Sequence, residues 1–385
     1  MPAHIDIVAG GNPGDFTTVR HIRVAGTERE IGQALAIAAR DAHGAAAGPR
    51  RAPDRAVQRA RRTWFAANHP ILHERMQGVG AAFGVDPTDD DWDLAWLGTY
   101  ELPAGCSTVF YPGVGVKDGH NLLARNFDFP TLTYSEIVGR AAGSAEQPLA
   151  SAPWVVECHP DGGYSSITIG IMDVLGAMDG VNSAGLAVSL MADNESAAPE
   201  PSIVAQVGLS EQQIIRYLLD TCSTVDEAKQ ALLLAKQYYF FVPCHFLVAD
   251  RSGRSFVWEY SPGHNREFII EPSPDRPTVC TNHLLHRWPD GATLPDDPKL
   301  DGTAALTYHR YRTLSAAVDP GPLVDRNDIR DHFAAVRFTA PVPMARTFWH
   351  AVYDLDDPSL AVSFYLRDED GASRYTEPRR FGLSG

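Results

Sequence analysis

The chain reads as a layered α+β protein in which two antiparallel sheets are faced by helices. Three observations predict this. After residue 103 the sequence breaks into short strands with turn punctuation. Its later strands come as antiparallel hairpins closed by Gly- or Asp-containing turns, and helical runs are grouped between strands. With 385 residues, 44% of them hydrophobic and 21% charged, the chain can bury a sizeable core.

The elements follow in order. "GTEREIGQALAIAARDA" predicts a helix opened by a Thr27–Glu30 capping box, in which each side chain satisfies the other's backbone donor. "DRAVQRARRTWFAANHPILHERMQGVGAAFG" predicts a second helical run broken at Pro70. "TDDDWDLAWLGTYEL" predicts a third helix with acidic residues at its dipole-favoured start. After residue 103, strands are predicted in "CSTVFYP", "HNLLARNFDF", "SSITIGIMDV", "GAMDGV" and "GLAVSLMA". "HFLVADRSGRSFVWEYS" and "TFWHAVYDLDDPSLAVSFYL" predict hairpins. Helices are expected in "SEQQIIRYLLDTC", with a Ser210–Gln213 box, and in "VDEAKQALLLAKQ", "TAALTYHRYRTLSAAV" and "DRNDIRDHFAAV". "GSAEQPLASAP" and "SAAPEPS" are loops.

Composition excludes several classes. A net charge of −15 argues against a nucleic-acid partner, which calls for a basic surface. The arginines of "GPRRAPDRAVQRARR" are interleaved with alanine and are expected on a solvated helix face. Five widely spaced cysteines without a CxxC fit neither a disulfide scaffold nor a zinc ribbon. The first residues lack a secretory pattern, and no apolar stretch approaches the roughly 18 residues of a membrane span. A cytoplasmic protein is expected. The run "TDDDWD" lacks the alternating ligands and the glycine of a calcium loop, and no carboxylate or cysteine completes His283 and His286, so no metal is expected.

The chemistry concentrates around "ELPAGCSTVFYPG". A cysteine attacks a carbonyl as thiolate, so something must take its proton or stabilise its charge. If "CSTVFYP" and "NLLARNFDF" pair across the "GVGVKDGH" turn, Arg125 and Asp128 return beside Cys106. Arg125 would then stabilise a thiolate, and Asp128 would hold an amine or water. The residues alone leave a second reading open, in which Cys106 packs as a small hydrophobe over a structural Arg125–Asp128 ion pair.

"GCSTV…RNFDF", followed by "DGVNSAGLAV" and "TNHLL", resembles the autoproteolytic N-terminal-nucleophile (Ntn) hydrolases of the acyl-CoA:6-aminopenicillanic acid acyltransferase type. These are related to choloylglycine (bile salt) hydrolases and penicillin V acylases. The resemblance extends to "GTEREIG" as a leader segment and "VYDLDDPSLAVSFYL" as a closing hairpin. It implies a four-layer αββα sandwich with two antiparallel sheets, preceded by a helical leader of residues 1–105 and followed through 106–385 by the catalytic core. It also implies that the chain is a zymogen. Cys106 would cleave the Gly105–Cys106 peptide through an N–S acyl shift, helped by the strain that Gly105 tolerates, and the two pieces would stay associated. The freed α-amine, with an ordinary pKa near 8, would serve as base for its own thiol.

Roles carry over by position. Cys106 is the implied nucleophile, Asp128 the partner of its amine, and Asn282 an oxyanion donor, a role worth about 2.7–4 kcal/mol on a barrier. Arg125 matches the hydrolases' arginine where the acyltransferases carry glutamine. Thr108 and His283 are weaker candidates for processing or substrate contact. The late arginine is Arg310 on the hydrolase pattern, or Arg346, close to the acyltransferase position. One departure stands out: the position of a second oxyanion asparagine is Ala192, which leaves Asn194 or a backbone N–H as substitute. The implied activity is hydrolysis or formation of a linear amide on a small-molecule amide or acyl donor, without a cofactor. A catalytically impaired binding protein on the same fold is the alternative, and nothing decides between a monomer and a homo-oligomer.

Overall fold

A computed structural model describes residues 3–43, 48–97, 105–137, 139–144, 146–171, 173–193, 205–240, 243–261, 266–273, 275–297, 306–318, 322–340 and 344–383. The chain opens with a hairpin, β1 (His4–Gly10) and β2 (Thr18–Gly26), ahead of α1 (Glu28–His43). The predicted capping box starts α1: Glu30 Oε2 accepts from Thr27 N at 2.9 Å while Thr27 Oγ1 accepts from Glu30 N at 3.3 Å. After β3 (Arg50–Arg51) come α2 (Arg55–Asn68) and α3 (Pro70–Phe83), broken where Pro70 enters the first helical turn. Gly32 and Gly78 let α1 and α3 cross backbone to backbone, since a Cβ on either would strike the other helix's main chain.

Three expectations about this segment are corrected. It is not purely helical, because β1 and β2 join the larger sheet. That sheet is not wholly antiparallel either, because β2 pairs parallel with β7 (Pro153–Pro160). "TDDDWDLAW" is no helix but a set of turns leading to β4 (Trp92–Asp93). Its aspartates cap turns and bind the arginines of α2 instead: Arg55–Asp91 at 3.0 Å, Arg59–Asp90 and Arg62–Asp90 both at 2.7 Å, and Arg61–Asp93 at 3.2 Å. The two unusual charge runs of the sequence therefore neutralise each other. Arg61 is buried between them rather than solvated.

The remainder runs through β5 (Gly105–Tyr111), β6 (Leu122–Pro130), α4 (Tyr134–Ile137), β7, β8 (Ser166–Ile171), β9 (Asp179–Asn182) and β10 (Ala187–Ala192). Then follow α5 (Glu211–Thr221), with its Ser210–Gln213 box, α6 (Val225–Leu234), β11 (Cys244–Ala249), β12 (Ser255–Ser261), β13 (Arg266–Ile270) and β14 (Thr278–Cys280). The chain ends with α7 (Thr307–Val318), α8 (Arg326–Ala334), β15 (Ala345–Asp354), β16 (Ser359–Glu369), β17 (Ala372–Tyr375) and β18 (Arg379–Gly382).

The larger sheet has nine strands in the order β1-β2-β7-β8-β9-β10-β11-β12-β13, and the second runs β14-β5-β6-β15-β16-β17 with β18 beside β16. Helices α1, α5 and α6 contact the larger sheet, α7 and α8 the smaller, and the sheets meet through β5 and β10. The alternation of β5 shows why. Cys106 and Phe110 belong to the main core, whereas Val109 and Tyr111 join Leu314, Ile329 and Phe333 under α7 and α8. Burying such side chains contributes about 1.5–3 kcal/mol each. Among the described residues, no helix is long and apolar enough to cross a membrane.

Candidate active site

Cys106 is the second residue of β5, fully buried, and faces the space between the sheets. The expected hairpin is present: β5 pairs antiparallel with β6, setting Gly105 opposite Asp128, Cys106 opposite Phe127 and Thr108 opposite Arg125. On the other side of β5, β14 pairs Cys280 with Thr108. Asn282, two residues further on, thereby comes level with Cys106.

Arg125 reaches under the thiol. Its Nη2 donates to Cys106 Sγ at 3.1 Å and to Leu190 O at 2.7 Å, and its Nη1 donates to Met178 O at 2.7 Å and Asp179 Oδ2 at 2.6 Å. Tyr353 Oη completes the Asp179 carboxylate at 2.6 Å. Every one of these groups is buried. Burial opposes the charge on Arg125, but Cys106 and Asp179 beside it hold the guanidinium well above its ordinary range. A planar fork with four acceptors in fixed places cannot drift, so the sulfur faces a stationary cation.

The main chain of Cys106 is held from the opposite direction. Its N–H donates to Asn282 Oδ1 at 2.8 Å, and Arg310 donates from Nη1 to its carbonyl oxygen and to Ser107 Oγ at 2.7 Å. Arg310 Nη2 also reaches Asn282 Oδ1 at 2.6 Å, and Asn282 Nδ2 donates to Ala192 O at 2.6 Å. Thr307 Oγ1, at the start of α7, accepts from Asn282 N at 2.8 Å. One side chain thus links the cysteine, α7 and β10.

Asp128 lies at the end of the hairpin beside the Gly105–Cys106 peptide. Its Oδ1 accepts from Thr347 Oγ1, while Oδ2 makes no hydrogen bond among the described residues and sits 3.8 Å from Arg310 Nη1. Burial pushes its pKa up to about 6, against the pull of Arg310, Thr347, Arg125 and Arg337. A buried carboxylate oxygen without a hydrogen-bond donor is a vacant acceptor, here on the residue that pairs with Gly105.

The other sequence candidates separate. Thr108 shares the inter-sheet face with Cys106 but bonds Ser189 Oγ at 3.0 Å and Met191 Sδ at 3.1 Å. His283 is buried against Tyr308 and Tyr311, and burial pushes it down to about 3, so it is neutral. Arg346 points away to Asp368, at 3.0 Å from Nε, so of the two late arginines only Arg310 is at Cys106. Asn194 lies outside the described residues. The five cysteines are all buried and unbridged. Asp179, Thr347, Thr307 and Tyr353 belong to the cluster yet were not singled out in the sequence. Asp179 opens the "DGVNSAGLAV" that carries part of the resemblance, and Thr347 follows Arg346 directly.

Chemically, the arrangement can hold a thiolate against Arg125, orient the main chain of Cys106 through Asn282 and Arg310, and offer Asp128 to a cation at the strand end.

Residues 116–299 match the family model of the acyl-coenzyme A:6-aminopenicillanic acid acyl-transferases, a stretch that includes Arg125, Asp128 and Asn282 and begins after Cys106. The chain is also 28% identical over 214 residues to a penicillin V acylase of Pectobacterium atrosepticum, a match covering 46% of this chain and 56% of that protein. The match thus spans little more than half the length of that curated relative. Among solved structures, a mutant conjugated bile acid hydrolase from Clostridium perfringens aligns at 12% identity and a TM-score of 0.48, covering 72% of this chain and 92% of the other. A penicillin V acylase from Agrobacterium tumefaciens aligns at 18% identity and a TM-score of 0.43, covering 67% and 82%.

Proposed function

We propose that this chain, which is similar over residues 116–299 to the acyl-coenzyme A:6-aminopenicillanic acid acyl-transferase family, is a self-processing cysteine Ntn enzyme that cleaves or forms linear amides. The observation that carries the reading is the threefold hold on one residue: Arg125 on the sulfur of Cys106, Asn282 on its nitrogen and Arg310 on its carbonyl oxygen.

Maturation begins when Sγ attacks the Gly105 carbonyl carbon. The C–N bond breaks, the nitrogen takes a proton, and a thioester joins Gly105 to Cys106. Water hydrolyses the thioester, leaving a Gly105 carboxylate, a free thiol and an α-ammonium group on Cys106. That ammonium meets Oδ2 of Asp128, which until then accepts no hydrogen bond on the residue paired with Gly105. In turnover the ammonium, with an ordinary pKa near 8, first gives up a proton to water, and the free amine then takes the thiol proton and returns it to the leaving amine. Sγ attacks the substrate carbonyl, Asn282 stabilises the oxyanion, and the acyl-thioester passes its acyl group to water or to an acceptor amine.

The fold that goes with this reading is the four-layer αββα sandwich, with residues 1–105 as the smaller chain after cleavage. Retention of that chain is supported by its strands β1 and β2 in the larger sheet and by the buried Arg75–Asp220 pair at 2.9 Å. Penicillin V and conjugated bile acids name the substrates of similar proteins. For this chain the substrate class is a small-molecule N-acyl amide. A second reading, a binding protein with an impaired site, is favoured by Ala192, which offers only its carbonyl oxygen to Asn282.

Intact mass of the purified protein tests the proposal. Pieces of about 11.5 and 30.5 kDa are expected, the 42.0 kDa of the chain divided in proportion to residues 1–105 and 106–385. Cys106→Ala should remain whole. A wild-type chain that stays at full mass, with no acylation of Cys106 by an activated ester, would overturn it.

A further inference from the structure

The turn that carries Asn282 is gripped from outside the site. Residues 281–286 leave β14 in a series of bends and turns rather than a regular element, so their own backbone does not fix Asn282. His245 on β11 and Glu259 on β12 stand opposite each other in register, both buried. His245 Nε2 donates to Thr281 O at 2.5 Å, directly before Asn282. Glu259 accepts from Leu285 N at 2.6 Å and His286 N at 3.2 Å, and meets His286 Nδ1 at 2.5 Å. The two side chains are themselves 3.6 Å apart, His245 Nδ1 to Glu259 Oε1. A single His–Glu pair therefore ties down the turn on both sides of Asn282.

Burying two ionisable groups in an inter-sheet core is costly, and a neutral turn could be held by serine or asparagine at lower expense. Burial opposes the charge on His245, but Cys280 and Glu259 beside it raise its pKa well above the ordinary imidazole value. Such a pair grips both backbone carbonyl and backbone N–H with charge-assisted hydrogen bonds, about twice as strong as neutral ones. What this purchase on the turn protects is geometry. An oxyanion donor acts only within about 2.7–3.1 Å of the developing charge, and a displacement of about 1 Å costs on the order of a hundredfold in rate.

We propose that His245 and Glu259 are positioning residues that fix the Asn282 carboxamide for the acyl-transfer step; this rests on the function proposed above. They touch neither Cys106 nor an acyl group, and act through the 281–286 turn.

The test compares wild type with His245→Leu, His245→Gln, Glu259→Ala and Glu259→Gln, using a p-nitrophenyl ester of a short fatty acid. Rates are expressed per processed Cys106 thiol, counted by alkylation and mass mapping. His245→Leu and Glu259→Ala should lower kcat about 30- to 300-fold with KM within about threefold, the signature of a misplaced oxyanion donor. His245→Gln, whose amide N–H reaches the same carbonyl, should recover at least about a tenth of the wild-type kcat. If the two severe variants do not fold, Glu259→Gln decides: a kcat loss of about fivefold or more at unchanged KM supports the assignment, and a smaller loss overturns it. Full kcat per thiol in His245→Leu and Glu259→Ala, with only stability lowered, makes the pair merely structural. A wild-type thiol that is never acylated sinks the proposed function and this inference together, whereas an acylated wild type with unaffected variants sinks this inference alone.

Discussion

Asp128 should destabilise the protein that depends on it. Its carboxyl is buried, keeps one oxygen without a hydrogen bond, and has its pKa pushed up from 3.8 to about 6. A carboxyl with a raised folded-state pKa binds its proton more tightly when folded. Its contribution is therefore favourable at low pH, declines as pH rises from about 4 to about 6, and remains lost at neutral pH. At about 1.4 kcal/mol per pH unit, the rise amounts to roughly 3 kcal/mol. Asp128→Asn removes the ionisation while keeping an acceptor for Thr347, though its new Nδ2 needs an acceptor of its own and offsets about 1 kcal/mol. We expect Asp128→Asn to be more stable by about 2 kcal/mol at pH 7, with the advantage vanishing towards pH 4. Urea unfolding in a Cys106→Ala background, where both chains should be whole, reads the difference at each pH and cancels every other titrating group. The same substitution in the active background should slow self-cleavage and turnover. Equal stability at pH 7, or a difference that does not change between pH 4 and pH 7, would refute the reasoning.

Arg125→Met strands the Asp179 carboxylate and two carbonyls, and should cost about 3–5 kcal/mol in urea unfolding. Adding Asp179→Asn should restore part of that stability but not the reactivity of Cys106, whose alkylation should slow about 10- to 150-fold on losing a charged donor. Arg310→Ala should block processing or turnover, while Arg346→Ala, which breaks an ion pair to Asp368 away from the cysteine, should change stability by no more than about 1 kcal/mol and leave acylation intact. Arg75→Met removes the Asp220 contact across the cleavage boundary, though Asp220 keeps Arg216, so the cleaved smaller chain should separate at a lower denaturant concentration than in wild type, as gel filtration in graded urea would show.

Part of the site was legible because Cys106, Arg125 and Asp128 lie on one hairpin, whereas Asn282 and Arg310 came from the family resemblance. Alternation and the "GVGVKDGH" turn set Arg125 and Asp128 beside Cys106 by register alone. The capping boxes at Thr27 and Ser210 and the break at Pro70 were equally readable, since each is a local hydrogen-bonding demand. What could not be read depends on distant partners. Asp179, Tyr353 and Thr347 reach the cluster only once the sheets and strands are assembled, so the motifs around them did not single them out. The acidic run at 88–93 misled for a related reason. Asp next to a helix-like pattern suits a helix N-terminus, but here the arginines of α2 offer these carboxylates stronger partners than a helix dipole. β1 and β2 lie in the stretch read as helical, although Ile5 and Ile7 alternate with His4 and Asp6 in β1 and Val19, Ile22 and Val24 of β2 are buried.

The central claim is that Cys106 becomes an N-terminal nucleophile that carries the acyl group. Intact mass of the larger chain, after brief reaction with an activated acyl ester and acid quench, tests it most directly. A chain beginning at Cys106 with one added acyl group is expected, which fragmentation places on that residue and hydroxylamine removes. A full-length chain, or an adduct located on any other residue, would contradict it.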